Sequence, residues 1–337
     1  MNQLPEKLVQ KTEELVCEAG LAAVKQAARE LAQRYAEGTA TPHLSRTHAV
    51  AYLAMRFPGT FHAIKSVFER CAEHSLPPTE LSLLDVCAGP ATAVIAAAFA
   101  GVRIHKAICI ERQSPMVELG KELLAACDIP TAVQWICDDV GSLAFHKDIS
   151  TDLVVAAYGL REILVERRSE LLDALWERTR EAFILIEPGT PRGAQVISSA
   201  RDALLQRGAS LVAPCPHAKP CALASVEDAW CHFAIRVGRT HISRIIDGAS
   251  RSFEDEKFSY LIASKKANQS VYARLIGHPR LTNAGMELIL CLPSGETVEV
   301  LVPKRLRDAY RVARKMAWGD KLDESFLFSL THVKPWP

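Results

Sequence analysis

The sequence predicts an α/β protein built on a parallel sheet, and three observations carry that expectation. Short β-rich runs alternate with helical ones through the middle of the chain, the β runs are continuously apolar, and the first of them ends in an acidic residue followed by a turn of small residues. The strand candidates are Leu81–Val86, Ala107–Ile110, Val133–Ile136, Leu153–Ala157 and Phe183–Ile186, and Glu162–Thr179 is the clearest helix between them. A strand covered on both faces needs no polar alternation, so runs of this kind read as parallel strands flanked by helices. Ahead of them, Leu8, Val16, Leu21, Val24, Ala28 and Leu31 recur at helical spacing and predict a helical region from Gln3 to about Arg34. A breaker follows at Glu37-Gly38-Thr39, then a second helical region from His48 to Cys71 that Pro77-Pro78 ends. Beyond Gly208 a Pro-, Cys- and His-rich stretch precedes the strand candidates Phe233–Val237 and Phe258–Ala263. VYARLIG and MELILCLPSGETVEVLV read as antiparallel strands, the latter pair turned at Ser294-Gly295, and a basic helix is expected over Arg305–Ala317.

The segment LLDVCAGPATA, Leu83 to Ala93, points to a ligand. A turn that lets backbone approach a ligand closely favours glycine, and the helix that follows offers free N–H groups. In a fold that binds S-adenosylmethionine (SAM), Asp85 would hold the methionine moiety and Gly89 would line the turn. Glu111, after the second strand, would accept both ribose hydroxyls. Asp138 or Asp139 would sit beside the adenine edge, and Tyr158 would line the transfer pocket. Cys87 and Ala91 stand where the commonest pattern has glycine. A dinucleotide-binding Rossmann fold competes, but its G-x-G-x-x-G is absent. After the fourth strand the sequence reads Ala157-Tyr158-Gly159-Leu160, with no Asn-Pro-Pro-Tyr-like run of amino-directed base methyltransferases, so no methyl acceptor is named. The expected organisation is a helical N-terminal lobe over 1–76, a SAM-methyltransferase-like domain over 77–268 that includes the Cys-rich loop, and a small β-rich domain over 269–337 ending in a basic helix.

Composition sets bounds. With 337 residues, 49% of them hydrophobic, the chain can bury a sizeable core. Its formal charge of +1 gives no net field, so contact with nucleic acid must come from local basic patches. No apolar run approaches the length of a membrane span. The first sixteen residues carry Glu6, Glu13 and Glu14, unlike a secretory signal or an Arg-rich presequence, and a cytoplasmic location is expected.

Ten cysteines in a reducing compartment suggest metal, cluster or catalysis where they gather. APCPHAKPC and WCHF bring Cys215, Cys221 and Cys231 together with His217 and His232. Prolines 214, 216 and 220 stiffen that loop, and the fourth ligand is either Cys291, in LILCLP, or one of the two histidines. The spacing fits neither a zinc ribbon nor the compact ferredoxin run, so the residues alone leave zinc and an iron–sulfur cluster open. Pro214-Cys215 also resembles the nucleophile of pyrimidine-C5 methyltransferases, although it follows the fifth strand and has two cysteines nearby that a nucleophile does not need. Cys17, Cys71, Cys109, Cys127 and Cys137 read as small buried hydrophobes.

Taken together, LLDVCAGPATA, LIEPGTPRG, APCPHAKPC, WCHFAIRV, DEKFSYL and ARKMAWGD resemble the methyltransferase-like small-ribosomal-subunit proteins of bacteria and mitochondria, from about Pro42 to Asp320. LAMRFPGTFHAI, with Arg56 and Pro58, matches as well and would border the donor pocket. The resemblance implies a SAM-methyltransferase-like fold, association with small-subunit ribosomal RNA and proteins, and a 4Fe-4S cluster held by Cys215, Cys221, Cys231 and Cys291, with zinc the lesser reading. Lys304, Arg305, Arg307, Arg311, Arg314 and Lys315 form one basic series, and Arg236, Arg239, Arg244 and Arg251 a second, both suited to RNA phosphates. The expected function is a ribosome-binding assembly factor, monomeric off the ribosome. An active SAM-dependent rRNA methyltransferase and a zinc- or cluster-containing redox protein without RNA binding are the alternatives.

Overall fold

The computed structural model describes the chain except for residues 1, 38–42, 74–79, 142–147, 227, 267–271, 324–325, 327–332 and 337. The breakers read at Gly38-Thr39 and Pro77-Pro78 lie outside the described residues. The N-terminal helices are α1 (Glu6–Ala19), α2 (Leu21–Glu37), α3 (Arg46–Met55) and α4 (Phe57–Glu73). The alternating region contains β1 (Leu81–Val86), α5 (Thr92–Phe99), β2 (Ile104–Ile110), α6 (Ser114–Ala126), β3 (Ala132–Ile136), β4 (Thr151–Ala157), α7 (Val165–Arg178), β5 (Thr179–Pro188) and α8 (Pro191–Gln206). There follow β6 (Ser210–Ala213), β7 (Phe233–Gly238), α9 (His241–Asp247) and β8 (Phe253–Ser264). The chain ends with β9 (Tyr272–Leu275), β10 (Arg280–Leu281), β11 (Gly285–Cys291), β12 (Thr297–Pro303), α10 (Arg307–Ala313), β13 (Lys321–Asp323) and β14 (Val333–Pro335).

Two compact units divide the chain, the first comprising Met1–Ile184 and Ile235–Glu256. Its strands are ordered β3-β2-β1-β4-β5, and β2, β1 and β4 run parallel with β3. All six residues of β1 are buried, as a strand covered on both faces requires. Helix α5 is buried from Thr92 to Ala97, so it has no polar face at all. The helical region from Gln3 to about Arg34 is two helices, because Gly20 takes a φ of +82° and ends α1. The second helical region likewise divides at Arg56, and Pro58 falls in the first turn of α4, where a missing N–H does no harm. Asn2 pairs with Val237 on β7, and α1 buries Leu8, Thr12, Leu15 and Val16.

The second unit comprises Leu185–Ala234 and Lys257–Pro337. Here β8 runs antiparallel to β6, so the sheet is mixed, not purely parallel. The other sheet is antiparallel with order β13-β9-β11-β12-β14, and β10 pairs with β11. Its β11–β12 turn carries Gly295 at φ +89°, where a turn was expected. Burial alternates along both strands, and Leu275, Leu288, Leu290, Val300 and Val302 form the core on one face. The basic helix is shorter than expected, reaching only from Arg307 to Ala313. Among the described residues no helix is long and apolar enough to cross a membrane.

Candidate donor turn and cysteine cavity

Asp85 is 1% exposed near the end of β1, and burial, reinforced by the Glu111 carboxylate, raises its pKa well above the usual range. Its Oδ2 has no hydrogen-bond partner among the described residues. An unmet buried acceptor costs about 1–3 kcal/mol, so this oxygen is a natural place for a ligand donor. Cys87, Gly89 and Ala91 have φ values of +56°, +53° and +58°. The turn thus keeps left-handed geometry at three alternate positions even though two of them carry a Cβ, at roughly 1–2 kcal/mol each. Cys87 also fills space. A Cβ on Gly159, after β4, would lie 2.5 Å from Cys87 Cβ and 2.7 Å from its Sγ.

Glu111 stands just beyond β2, 8% exposed. Its Oε2 accepts from Gly89 N at 2.9 Å and its Oε1 from Gln113 N at 2.8 Å, which leaves a lone pair on each oxygen for a ribose hydroxyl. Burial pushes its pKa up, against the pull of those two N–H groups. The Cys87 thiol is likewise pushed up by burial and by the Glu111, Glu162, Asp85 and Asp139 carboxylates, so four carboxyl groups gather around the turn. Asp138 is not among them. It is exposed, and its Oδ1 accepts from Asp139 N at 2.7 Å.

Tyr158 has a φ of +60° and donates its phenolic hydrogen to Glu256 Oε1 at 3.3 Å. Arg56 Nη2 lies 3.7 Å from the same oxygen, and a Cβ on Gly59 would lie 2.7 Å from Glu256 Oε2. The LAMRFPGTFHAI segment therefore supplies a cation and a gap for a buried carboxylate. Sequence reasoning did not single out Glu256; the available signal was an acidic residue just before the apolar run of DEKFSYL. Tyr52, on α3, lies within electrostatic reach of both Arg56 and Glu111, and its hydroxyl contacts Thr60.

In the second unit, Cys215, Cys221, Cys231 and Cys291 all line one cavity of about 60 Å³. Three motifs meet beside it. Gly189, of LIEPGTPRG, donates N–H to Lys257 O at 2.8 Å and accepts from Trp230 Nε1 at 2.9 Å. A Cβ there would come within 2.7 Å of the Lys257–Phe258 backbone, so only glycine fits. Ser259, of DEKFSYL, donates to Cys231 O at 2.8 Å. Cys291 Sγ lies 3.4 Å from His217 Nε2, while His217 Nδ1 lies 3.1 Å from Lys219 O. Burial raises the Cys215, Cys231 and Cys291 thiol pKa values, the last to about 12, and neighbouring sulfurs push the same way. Arg201 and Arg274 line the cavity too. Among the described residues no group of three or more His, Cys, Asp or Glu side chains is arranged to hold a metal ion.

Outside the cavity Cys71 and Cys109 are buried as expected, but Cys17 and Cys137 are exposed, because they fall on the outer side of α1 and just past edge strand β3. Two of the four arginines of the second basic series are answered by carboxylates. Arg236 makes a two-pronged pair with Asp255 at 2.8 and 2.9 Å, and Arg239 pairs with Asp247 and with Glu254.

Comparison with protein families matches residues 46–323 to mitochondrial small ribosomal subunit Rsm22. The chain belongs to the Rsm22 family. It is 26% identical to the human ribosome assembly protein METTL17, mitochondrial, over 89% of this chain and 67% of that protein. It is 27% identical to the Rsm22-cox11 tandem protein 2, mitochondrial, of Schizosaccharomyces pombe, over 53% of this chain and only 30% of that protein. Among solved structures it is similar to the Synechocystis magnesium protoporphyrin IX methyltransferase with bound SAH, with a TM-score of 0.42 and 14% identity, over 69% of this chain and 93% of the other. The expected cytoplasmic location is corrected by these relatives, whose names are mitochondrial. The acidic N-terminal segment from which it was read is α1, and its composition reflects a helix with one buried face, not a cellular address.

Proposed function

We propose that this Rsm22-family chain is a mitochondrial small-ribosomal-subunit assembly factor that binds rRNA. In this reading its methyltransferase-like unit keeps a SAM site, and its cysteine cavity holds a 4Fe-4S cluster that stabilises the second unit. The observation that carries it is the family match over residues 46–323, a span that includes the donor turn, all four cavity cysteines and the basic helix α10. Cys215, Cys221, Cys231 and Cys291 would ligate the cluster, and two buried arginines beside them suit an anionic occupant. Such a cluster supplies cross-linking of the fold, since metal binding energy becomes folding energy. The test is co-sedimentation of the full chain with mitochondrial small-subunit particles at low and moderate salt, together with iron and sulfide analysis of anaerobically prepared protein. Failure to co-sediment at either salt would remove the ribosomal reading, and protein without iron and sulfide would remove the cluster.

A second reading, an active SAM-dependent rRNA methyltransferase, is favoured by the unmet Asp85 Oδ2 and by the left-handed turn through Gly89. Asp85, Gly89 and Glu111 would hold the donor, Asp139 would lie toward its adenine, and Tyr158 would face the transfer pocket. Calorimetry with SAM decides binding, and an unchanged rRNA modification profile after deletion of the gene would sink turnover.

A further inference from the structure

Two guanidinium groups line the cavity with the four thiols, and among the described residues a single exposed carboxylate answers them. Arg274, on β9, is 1% exposed. Its Nε donates to Pro214 O at 3.0 Å and its Nη1 to Gly319 O at 2.7 Å, while the guanidinium carbon lies 4.7 Å from the centre of the Tyr272 ring. Its Nη2 has no acceptor, and no carboxylate is among its partners in the described residues. Arg201, on α8, is 3% exposed. Its Nη2 donates to the carbonyls of His217 and Lys219, its Nη1 to Asp202 at 2.7 Å, and its Nε has no acceptor. The side chain of Asp202 is 60% exposed, so water screens that pair.

Both arginines therefore grip the backbone of the cysteine loop, and each keeps one N–H group with no hydrogen-bond partner among the described residues. Neutral thiols do not compensate buried cations, and an unanswered buried charge is among the least favourable arrangements in a protein. Four thiolates around an inorganic centre carry net negative charge, which two cations balance. We propose that Arg201 and Arg274 are the counter-charges of an anionic, thiolate-bound centre in this cavity, with their unpartnered N–H groups donating to its sulfurs. This rests on the reading of the cavity as a cluster site. Both are positioning residues, and they act on how firmly the centre is held and on its reduction potential, because a nearby cation favours the more negatively charged reduced form.

The experiment uses the full chain, prepared anaerobically, as wild type, Arg274→Met, Arg274→Lys and Arg201→Met. Iron per chain, the rate of iron loss to a chelator and the midpoint potential are measured for each. Arg274→Met and Arg201→Met are expected to lose iron roughly tenfold faster, with a more negative potential, and Arg274→Lys to restore most of the wild-type potential. Unchanged iron loss and potential in both methionine variants of an iron-containing protein would overturn the proposal while leaving the cluster reading intact. Wild-type protein lacking iron and sulfide would overturn both. Should Arg274→Met fail to fold for want of its carbonyl contacts, Arg201→Met decides by the same readings.

Discussion

Cys291 on β11 stands directly opposite Arg274 on β9 in the antiparallel ladder, and the neighbouring pair, Leu290 opposite Leu275, faces the other way. Leu275 and Leu290 belong to the apolar core of the small sheet, so period-two alternation sends Cys291 and Arg274 together to its opposite face, where both line the cavity. Strand register alone therefore places a thiol beside a cation, and a one-residue slip would bury the arginine among leucines.

If the cavity holds a shared centre, its four cysteines behave as a set. Cys215→Ser, Cys221→Ser, Cys231→Ser and Cys291→Ser should each bleach the visible absorption of anaerobic protein and lower the melting temperature by roughly 5–10 °C. Cys109→Ser, at a fully buried thiol outside the cavity, should leave the colour intact. Normal thermal stability and full colour in Cys291→Ser would contradict the shared centre.

Gly159 and Cys87 should behave as a compensating pair. Gly159 has an ordinary φ of −111°, so the backbone admits alanine and only the contact with Cys87 opposes it. Gly159→Ala is expected to lose roughly 1–3 kcal/mol in denaturant unfolding through overpacking. Adding Cys87→Gly should recover most of that loss, because the colliding atoms are gone. Additive losses in the double variant would show that Cys87 is not what constrains position 159.

How much of this was legible in the sequence depended on whether local pattern or tertiary pairing decides. Strand β1 was read with its observed ends, since a run buried on both faces is apolar throughout and its acidic terminus marks the turn. The divisions at Gly20 and Arg56 are not visible in the periodicity, because helical spacing survives a one-residue break. Asp85 and Glu111 were visible as strand-end carboxylates, but spacing does not choose between the adjacent Asp138 and Asp139. Arg274 was overlooked because a charge within an apolar run reads as noise until register shows what it faces, and Arg201, on α8, and Glu256, in a charged run, read as surface residues although both are buried. Arg274, inside VYARLIG, was the one such signal open to sequence reasoning.

His62, on α4, predicts an acid-sensitive stability. It is 4% exposed with no partner for Nε2 among the described residues, and burial, helped by Lys65, lowers its pKa from 6.5 to about 4. Above pH 6.5 both folded and unfolded states are neutral and nothing is lost; between 6.5 and 4 only the unfolded chain gains the proton, so stability falls as pH falls. Going from about pH 7.5 to about pH 5, this group should remove about 2 kcal/mol. Denaturant titrations at the two pH values should show that difference shrinking by a similar amount in His62→Leu, and an equal acid sensitivity in the variant would assign the effect elsewhere.

The basic helix α10 offers a cleaner RNA test than the second arginine series, in which Arg236 and Arg239 are already paired with carboxylates. Arg307, Arg311 and Arg314 are exposed, and the one acidic neighbour, Asp308, makes only a solvent-exposed contact with Arg311 at 3.6 Å. Phosphate contacts release counterions, so affinity for small-subunit rRNA should fall steeply with salt. Each arginine changed to alanine should weaken binding at low salt and flatten the logarithmic salt slope by about 1 if it meets a phosphate. A triple variant with an unchanged slope would place the RNA contact on another surface, whereas a flattened slope with intact iron content would separate RNA binding from the cysteine cavity.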